Sequence, residues 1–153
     1  MNGLRRVLLQ RAGAIAAGLA TGLLNPIAAW AATWNKDAFG AKSAGDALQR
    51  LGAADPAPSK DIVIEAPQIA ENGAVVPIEI TSNIPGTTSI AVLVEKNPYP
   101  LVAKFDFAEG ALPYVKVNAK MGETSDVRVV ATAGGKHYAA SKEIKVTIGG
   151  CGG

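Results

Sequence analysis

The sequence is poor in the residues that stabilise small folds through cross-links or metal ions. It has one cysteine, Cys151, and one histidine, His137, among 153 residues, which excludes intramolecular disulfides and a Cys/His zinc cage. Aromatic residues make up 5% and charged residues 18% of the chain, so neither a charged disordered tail nor a nucleic-acid-binding surface is indicated. The length suits one domain with an extension and is sufficient for a hydrophobic core.

Residues 1–31 contain no acidic side chain and are predicted to be an export signal. Arg5 and Arg6 precede a short Ala/Gly/Leu-rich run, and Ala29 and Ala31 form an A-x-A cleavage pattern. The paired arginines and the weakly hydrophobic run resemble a twin-arginine signal, with the general secretory route as the alternative. We expect a periplasmic mature protein without a membrane anchor, because the run is shorter than the ~20 residues of a membrane span.

Removal of this segment changes the charge balance of the chain. The full sequence has 15 basic and 13 acidic side chains. Without Arg5, Arg6 and Arg11, 12 basic side chains remain against 13 acidic ones, a net charge of −1. The basic excess therefore belongs to the predicted signal, and it gives no argument for a polyanionic partner of the mature protein.

Residues 32–59 are predicted to form an N-terminal helix and a linker. The helix is predicted over Lys36–Leu51 and ends at Gly52. Its apolar positions recur at helical spacing and are Ala44, Ala47, Leu48 and Leu51. The proline-rich segment Asp55–Ser59 then forms a stiff linker in which no helix continues.

Residues 60–148 change to a period of two and predict an all-β domain. The candidate strands are Ile62–Ala66, Val75–Thr81, Ser89–Glu95, Leu101–Phe107, Tyr114–Lys120, Ser125–Thr132 and Tyr138–Ile148. Pro77 marks the second of them as an edge strand or a bulged one. Seven short strands separated by turn residues predict an immunoglobulin-like antiparallel β-sandwich, with an up-and-down barrel as the lesser alternative.

The only thiol lies among four glycines at the end of the chain. The last five residues are Gly149, Gly150, Cys151, Gly152 and Gly153. Because glycine lacks a side chain and has a permissive backbone, residues 149–153 are predicted to be a thin, flexible arm that presents Cys151 to other proteins. A buried cysteine is the ordinary alternative, but no apolar neighbour in sequence would hold it in a core. We therefore predict a carrier whose cargo is attached through sulfur.

The terminal Gly-Gly-Cys-Gly-Gly pentapeptide, the all-β body, the turn Asn97-Pro98-Tyr99-Pro100 and the N-terminal helix together resemble the SoxY family. This family is the sulfur-carrier subunit of the periplasmic Sox system of sulfur oxidation. The resemblance implies that Cys151 carries thiosulfate-derived sulfur, that the chain pairs with a second small β-sandwich subunit, SoxZ, and that it holds no cofactor. It also implies transient contacts with a c-type cytochrome, a manganese hydrolase and, in some systems, a molybdenum enzyme.

Other functions fit the sequence less well. Ubiquitin-like sulfur carriers also end in two glycines but load their C-terminal carboxylate after adenylation, which requires ATP that the periplasm is not expected to supply. A thiol-disulfide oxidoreductase normally needs a second, resolving cysteine, and prenylation requires a cysteine fourth from the end. An exported, non-catalytic binding or adhesion module with a dispensable tail is the alternative from a different class.

Three further polar residues are assigned no catalytic role. His137, next to Gly134-Gly135-Lys136, is predicted to be a solvent-facing turn residue at the start of the last strand. Glu79 and Glu95 alternate with apolar strand positions and are predicted to lie on solvated faces rather than to form an acid/base pair.

Overall fold

The computed structural model describes residues 35–147. The predicted signal peptide, residues 1–31, and the predicted arm, residues 149–153 with Cys151, lie outside the described residues. The elements are, in chain order, α1 (Lys36–Phe39), α2 (Ala44–Arg50), β1 (Ala57–Pro58), β2 (Ile62–Glu65), β3 (Ile69–Ala70), β4 (Val76–Ser82), β5 (Thr87–Val94), β6 (Leu101–Asp106), β7 (Tyr114–Ala119), β8 (Ser125–Ala133) and β9 (Lys136–Val146). None of the described helices is long and apolar enough to cross a membrane.

The strands form two sheets that pack face to face. The larger sheet has the strand order β1-β9-β8-β5-β6, with β3 also paired to β9, and the smaller sheet has the order β2-β4-β7. Buried side chains of both sheets, such as Ile78 and Ile80 of β4 and Val92 and Val129 of the larger sheet, share one core. The predicted β-sandwich is confirmed, and all seven predicted strands are present within two residues of their predicted bounds. Within residues 35–147 the strands do not close into the alternative barrel.

The alternation of apolar and polar residues explains which faces are buried. In β7, Val115 and Ala119 are buried, while Lys116 and Asn118 are exposed on the opposite face. In β9, Ile144 is fully buried. Because successive side chains of a strand point to opposite faces, a period of two places every second residue in the core between the sheets.

Pro77 lies in β4, which is paired with a strand on each side, but at the position of the proline only one of these strands is paired. Strand β4 is central in the smaller sheet, but its pairing with β2 ends at Glu79. At Pro77 only β7 is paired, with Asn118 opposite and without a register shift. The prediction of a bulge is therefore wrong, and the prediction of an edge is correct only for the end of β4 that extends past β2. A proline is tolerated there because its missing N–H removes no hydrogen bond to β2.

The predicted single helix over Lys36–Leu51 is wrong, since two short helices occupy this range. Helix α1 ends at Phe39 with Gly40 as its C-cap, and Ser43 is extended, with φ −133° and ψ 152°. The Ser43 side chain accepts a hydrogen bond from the Asp46 N–H at 3.1 Å, which starts α2 as an N-cap. The capped extended residue interrupts the helical hydrogen-bond ladder, although the predicted apolar face is kept.

The two helices cover the outer face of the larger sheet. Their buried residues Ala38, Ala47 and Leu48 form a second core with Leu93 and Val130 of the sheet. The larger sheet is therefore buried on one face by the smaller sheet and on the other by the helices over part of its area.

The predicted linker Asp55–Ser59 contains a strand. Its residues Ala57 and Pro58 pair in parallel with the start of β9, and the N–H of Ser59 donates to the Ala139 carbonyl oxygen at 2.9 Å. Strand β3 also pairs in parallel with β9, near its end. The sandwich is thus antiparallel except for two short pairings along one edge of β9. Strands of two residues show no alternation, so the period-two pattern cannot reveal them.

Candidate functional site

The candidate site residue Cys151 and its four flanking glycines lie outside the described residues, so the structure describes the strand that leads to them. The last described residue, Thr147, follows the end of β9. Cys151 comes four residues later, which an extended chain covers in about 13 Å. The end of β9 is therefore the described part of the chain that lies nearest in sequence to the predicted arm.

The end of β9 is held on both sides by backbone hydrogen bonds. On one side, the Lys145 N–H donates to the Gln68 carbonyl oxygen at 3.0 Å, and the Thr147 N–H donates to that of Ala70 at 3.1 Å. On the other side, the Val146 N–H donates to the Thr124 hydroxyl at 3.0 Å. The end of β9 is thus held in the sheet up to Thr147.

Gly73 allows the loop before β4 to pack against this strand end. A Cβ atom at Gly73 would clash with the Met121 carbonyl oxygen and would lie 2.8 Å from Val146 Cγ1. The Gly73 carbonyl oxygen accepts the Met121 N–H at 2.7 Å. From the sequence, Gly73 was recognisable only as a turn residue in Glu71-Asn72-Gly73, and no local signal indicates its contact with a strand 73 positions later.

A shallow groove borders the same end of the sandwich. Its lining residues are Lys96, Asn97, Pro98, Lys120, Gly122 and Glu123. The groove lies between the β5–β6 loop and the β7–β8 loop, which are joined by a hydrogen bond from Asn97 Nδ2 to the Lys120 carbonyl oxygen at 2.7 Å. Glu123 of the groove directly precedes Thr124, the partner of Val146.

His137 lies at the opposite end of β9 and belongs to the strand. It is half-buried, lies opposite Thr132 on β8, and its Nδ1 is 3.1 Å from the Thr132 hydroxyl. The predicted position at the start of the last strand is confirmed, but the prediction of a solvent-facing turn residue is wrong, because the β8–β9 turn consists of Gly134-Gly135 and pairing begins at Lys136. Strand β9 separates His137 from the arm by about 30 Å of extended chain.

Glu79 and Glu95 each pair with basic side chains rather than with each other. Glu79 accepts hydrogen bonds from Lys116 Nζ at 2.6 Å and from the Tyr114 hydroxyl at 2.7 Å. These two donors hold the pKa of Glu79 below its ordinary value of 4.5, and the nearby carboxylate raises the pKa of Tyr114 and Lys116. Glu95 Oε1 lies 2.6 Å from Arg128 Nη2.

The turn Asn97-Pro98-Tyr99-Pro100 joins the groove to the helix side of the molecule. The Lys42 ammonium lies 3.6 Å from the centroid of the Tyr99 ring, and the hydrogen bond and charge of Lys42 lower the pKa of Tyr99. Among residues 35–147 no three His, Cys, Asp or Glu side chains form a cluster suited to a metal ion. The described residues hold β9, which leads toward residues 149–153, by hydrogen bonds up to Thr147.

Comparisons with known proteins identify the family of the chain. The chain matches the family described as "Sulfur oxidation protein SoxY" over residues 48–151. A solved structure of the sulfur carrier protein SoxY from Chlorobium limicola f thiosulfatophilum is 42% identical, with a TM-score of 0.62, and the match covers 67% of this chain and 94% of that chain. The curated proteins contain no match.

A superoxide reductase (neelaredoxin) from Ignicoccus hospitalis shares the fold alone. It is 18% identical with a TM-score of 0.50, and the match covers 56% of this chain and 80% of that chain. At this identity the likeness says nothing about activity.

The fold is that of a small β-sandwich protein, and the matches assign it to the class of sulfur oxidation proteins. Both the family match, which extends to residue 151, and the Chlorobium structure point to one family within that class. The chain belongs to the SoxY family of sulfur oxidation proteins.

Proposed function

We propose that the protein carries sulfur intermediates covalently on Cys151 and presents them to the enzymes of periplasmic sulfur oxidation. The observation that carries the proposal is that the SoxY match runs to residue 151, the position of the chain's one cysteine. The fixed end of β9 at Thr147 supports it, because a carrier thiol needs a rigid base and a free length beyond it.

In the proposed reaction, thiosulfate is first joined to the Cys151 sulfur. The thiolate of Cys151 and thiosulfate form an S–S bond, giving Cys–S–S–SO₃⁻, and two electrons leave to an acceptor of the c-type cytochrome class. A manganese hydrolase then adds water to the terminal sulfonate and releases sulfate, so that a persulfide, Cys–S–SH, remains. A molybdenum enzyme oxidises that sulfur in some systems. The metals belong to these partners, and this chain supplies the sulfur atom and the reach of the arm.

The proposal includes export and a stable partner. The predicted signal in residues 1–31 supports periplasmic localisation by the twin-arginine route, and the SoxY family supports pairing with a SoxZ-like subunit. Expression with and without the pair Arg5 and Arg6, followed by fractionation, tests the first part. Co-purification of a second small β-rich subunit with the tagged chain tests the second.

Intact-mass spectrometry of the protein from thiosulfate-grown cells tests the carrier function. We expect additions of thiosulfonate or sulfane sulfur that map to the C-terminal peptide and disappear on reduction. Cys151→Ser is expected to abolish them and to leave the fold intact. Loading that persists in Cys151→Ser would instead indicate attachment to the C-terminal carboxylate, and an unmodified chain with a dispensable tail would indicate a binding module.

A further inference from the structure

The dipeptide Asn72-Gly73, in the loop before β4, places a side-chain amide next to a backbone nitrogen that no side chain shields. The backbone nitrogen after an asparagine can attack the amide carbon and close a succinimide ring, and a side chain on the following residue hinders this attack. Glycine has no Cβ and allows the closest approach. Among the asparagines of residues 35–147, Asn72 is the one that precedes a glycine. The others precede a lysine, an isoleucine, a proline and an alanine, and are Asn35, Asn83, Asn97 and Asn118.

The amide carbonyl of Asn72 is oriented in a way that favours such an attack. The residue is exposed, and its Oδ1 accepts the Ala74 N–H at 2.9 Å in an Asx turn. Attack on the amide carbon moves negative charge onto Oδ1, and a positioned N–H donor stabilises the charge that develops on such an oxygen. The turn therefore supplies one donor of the kind that lines an oxyanion hole.

The attacking nitrogen of Gly73 has no competing hydrogen bond. The Gly73 N–H forms none of the hydrogen bonds found among residues 35–147, whereas the Gly73 carbonyl oxygen accepts the Met121 N–H at 2.7 Å. Packing also fixes this residue, since a Cβ there would clash with the Met121 carbonyl oxygen. The nucleophile thus stays in place while the exposed Asn72 side chain turns toward it.

We propose that Asn72 deamidates spontaneously in the folded protein. The Gly73 nitrogen loses its proton to hydroxide and bonds to Cγ of Asn72. The amide nitrogen takes a proton from water and leaves as ammonia, which regenerates hydroxide and completes the succinimide. Water then opens the ring, at the side-chain carbonyl to leave an aspartate at position 72, or at the main-chain carbonyl to leave an isoaspartate. No atom is oxidised or reduced, and the proposal does not depend on the carrier function.

The isoaspartate product lengthens the main chain directly before Gly73. The contacts that fix Gly73 leave no space for this change, because a Cβ there would also lie 2.8 Å from Val146 Cγ1. Both products add a negative charge beside Glu71. We expect the isoaspartate form to weaken the Met121 hydrogen bond and the packing against Val146, so that the modification loosens the end of β9 in aged molecules.

Peptide mass spectrometry of the full mature chain, kept folded at mildly alkaline pH, tests the modification. We expect the mass gain of an amide converted to an acid in the peptide that contains Asn72. The same digest should contain an isoaspartyl peptide that protein isoaspartyl methyltransferase labels. The other asparagines are internal controls in the same sample, and Asn97 is the strictest of them, because Pro98 has no N–H to lose.

Two variants separate the chemistry from its structural effect. Asn72→Gln keeps an amide but would have to close a larger ring, so it should stay unmodified. Asn72→Asp, measured when fresh, carries the new charge and an acceptor for the Ala74 N–H but no extra main-chain atom. Hydrogen exchange of the Met121 and Val146 amides should become faster in the aged wild type, stay slow in fresh Asn72→Asp, and not change with age in Asn72→Gln.

The urea-unfolded chain supplies the reference for the rate. Reaction of the folded wild type at Asn72, with the other asparagines intact, supports the proposal. A folded chain that stays unmodified for as long as the unfolded chain needs to react completely overturns it, because the fold then protects Asn72. If position 72 reacts but the Met121 and Val146 amides exchange as before, the effect on β9 is overturned and the modification alone remains.

Discussion

The hydroxyl of Thr124 accepts the backbone N–H of Val146 at 3.0 Å. This bond continues the ladder between β8 and β9 by one step, because the last paired residues of these strands are Ser125 and Ile144. A side-chain hydroxyl thus takes the place of a backbone carbonyl as the hydrogen-bond acceptor at Val146, the last residue of β9. On the other edge of β9, β3 supplies the partner of the Thr147 N–H.

Thr124→Val should loosen the base of the arm. Valine keeps the shape of threonine but removes the acceptor, so the half-buried Val146 N–H loses its partner, at about 1 kcal/mol of unfolding free energy. Hydrogen exchange of the Val146 amide should become faster, and the denaturant midpoint should fall. Thr124→Ser retains the oxygen and is the control. Equal exchange at Val146 in all three proteins would show that the bond does not hold the strand end.

Gly73→Ala should destabilise the same region from the opposite side. The added methyl group meets the Met121 carbonyl oxygen and Val146 Cγ1, and such overpacking costs about 1–3 kcal/mol. Denaturant unfolding measures the loss. Gly122→Ala is the matched control, because its Cβ meets nothing within 4 Å and its effect should stay within about 0.5 kcal/mol. Similar stability of both variants would contradict the close packing at Gly73.

Alanine substitutions at Gly52, just after α2, and at Gly45, within α2, should change the unfolding free energy in opposite directions. The Ala53 N–H donates to the Leu48 carbonyl oxygen at 2.8 Å and that of Gly52 to Gln49 at 2.9 Å, which is a Schellman motif. Gly52 has φ 74°, so Gly52→Ala should lower the unfolding free energy by about 1 kcal/mol.

Gly45→Ala is the counterpart of that substitution. Gly45 lies within α2, where a Cβ meets nothing within 4 Å, and alanine should raise the unfolding free energy by up to about 1 kcal/mol. Thermal unfolding of the two variants and the wild type measures both changes in stability. If Gly52→Ala proves as stable as Gly45→Ala, the left-handed backbone at position 52 does not require glycine.

Much of the fold follows from local patterns in the sequence. Most of the seven longer strands are predictable because one face of each packs in a core, so their apolar residues alternate. Strand β5 is instead a continuous apolar run, because the helices cover its other face. The break between α1 and α2 is harder to predict, because Ala44, Ala47 and Leu48 keep their helical spacing across it, and Ser43 alone marks the new start. Strands β1 and β3 are defined by pairing with β9, which no local pattern reports.

The candidate site likewise has one part that the sequence reveals and another that only the folded chain reveals. Cys151 stands out in the sequence because glycines surround it and no second cysteine exists. Lys96 and Lys120 do not stand out, since they lie 24 positions apart in separate loops. The hydrogen bond from Asn97 to the Lys120 carbonyl brings those loops together, and only the folded chain shows that they lie beside the strand that leads to Cys151.

The stability of the smaller sheet should depend on pH through Glu79. Lys116 lies opposite it on β7 and Glu65 opposite it on β2. The hydrogen bonds from Lys116 and Tyr114 outweigh other effects and lower the pKa of Glu79 from 4.5. A carboxyl group with a lowered folded pKa stabilises the fold above its unfolded pKa, and this contribution is lost as the pH falls through the folded value.

Glu79→Gln should therefore be less stable than the wild type at neutral pH, and the difference should shrink as the pH falls below 4.5. Denaturant unfolding as a function of pH measures the difference directly. Glu65→Gln removes the like charge on the other side of Glu79 and is the matched control, because it should not lower the stability at neutral pH. If the curves of Glu79→Gln and the wild type run parallel across this range, the carboxylate contributes nothing to the sheet through its charge.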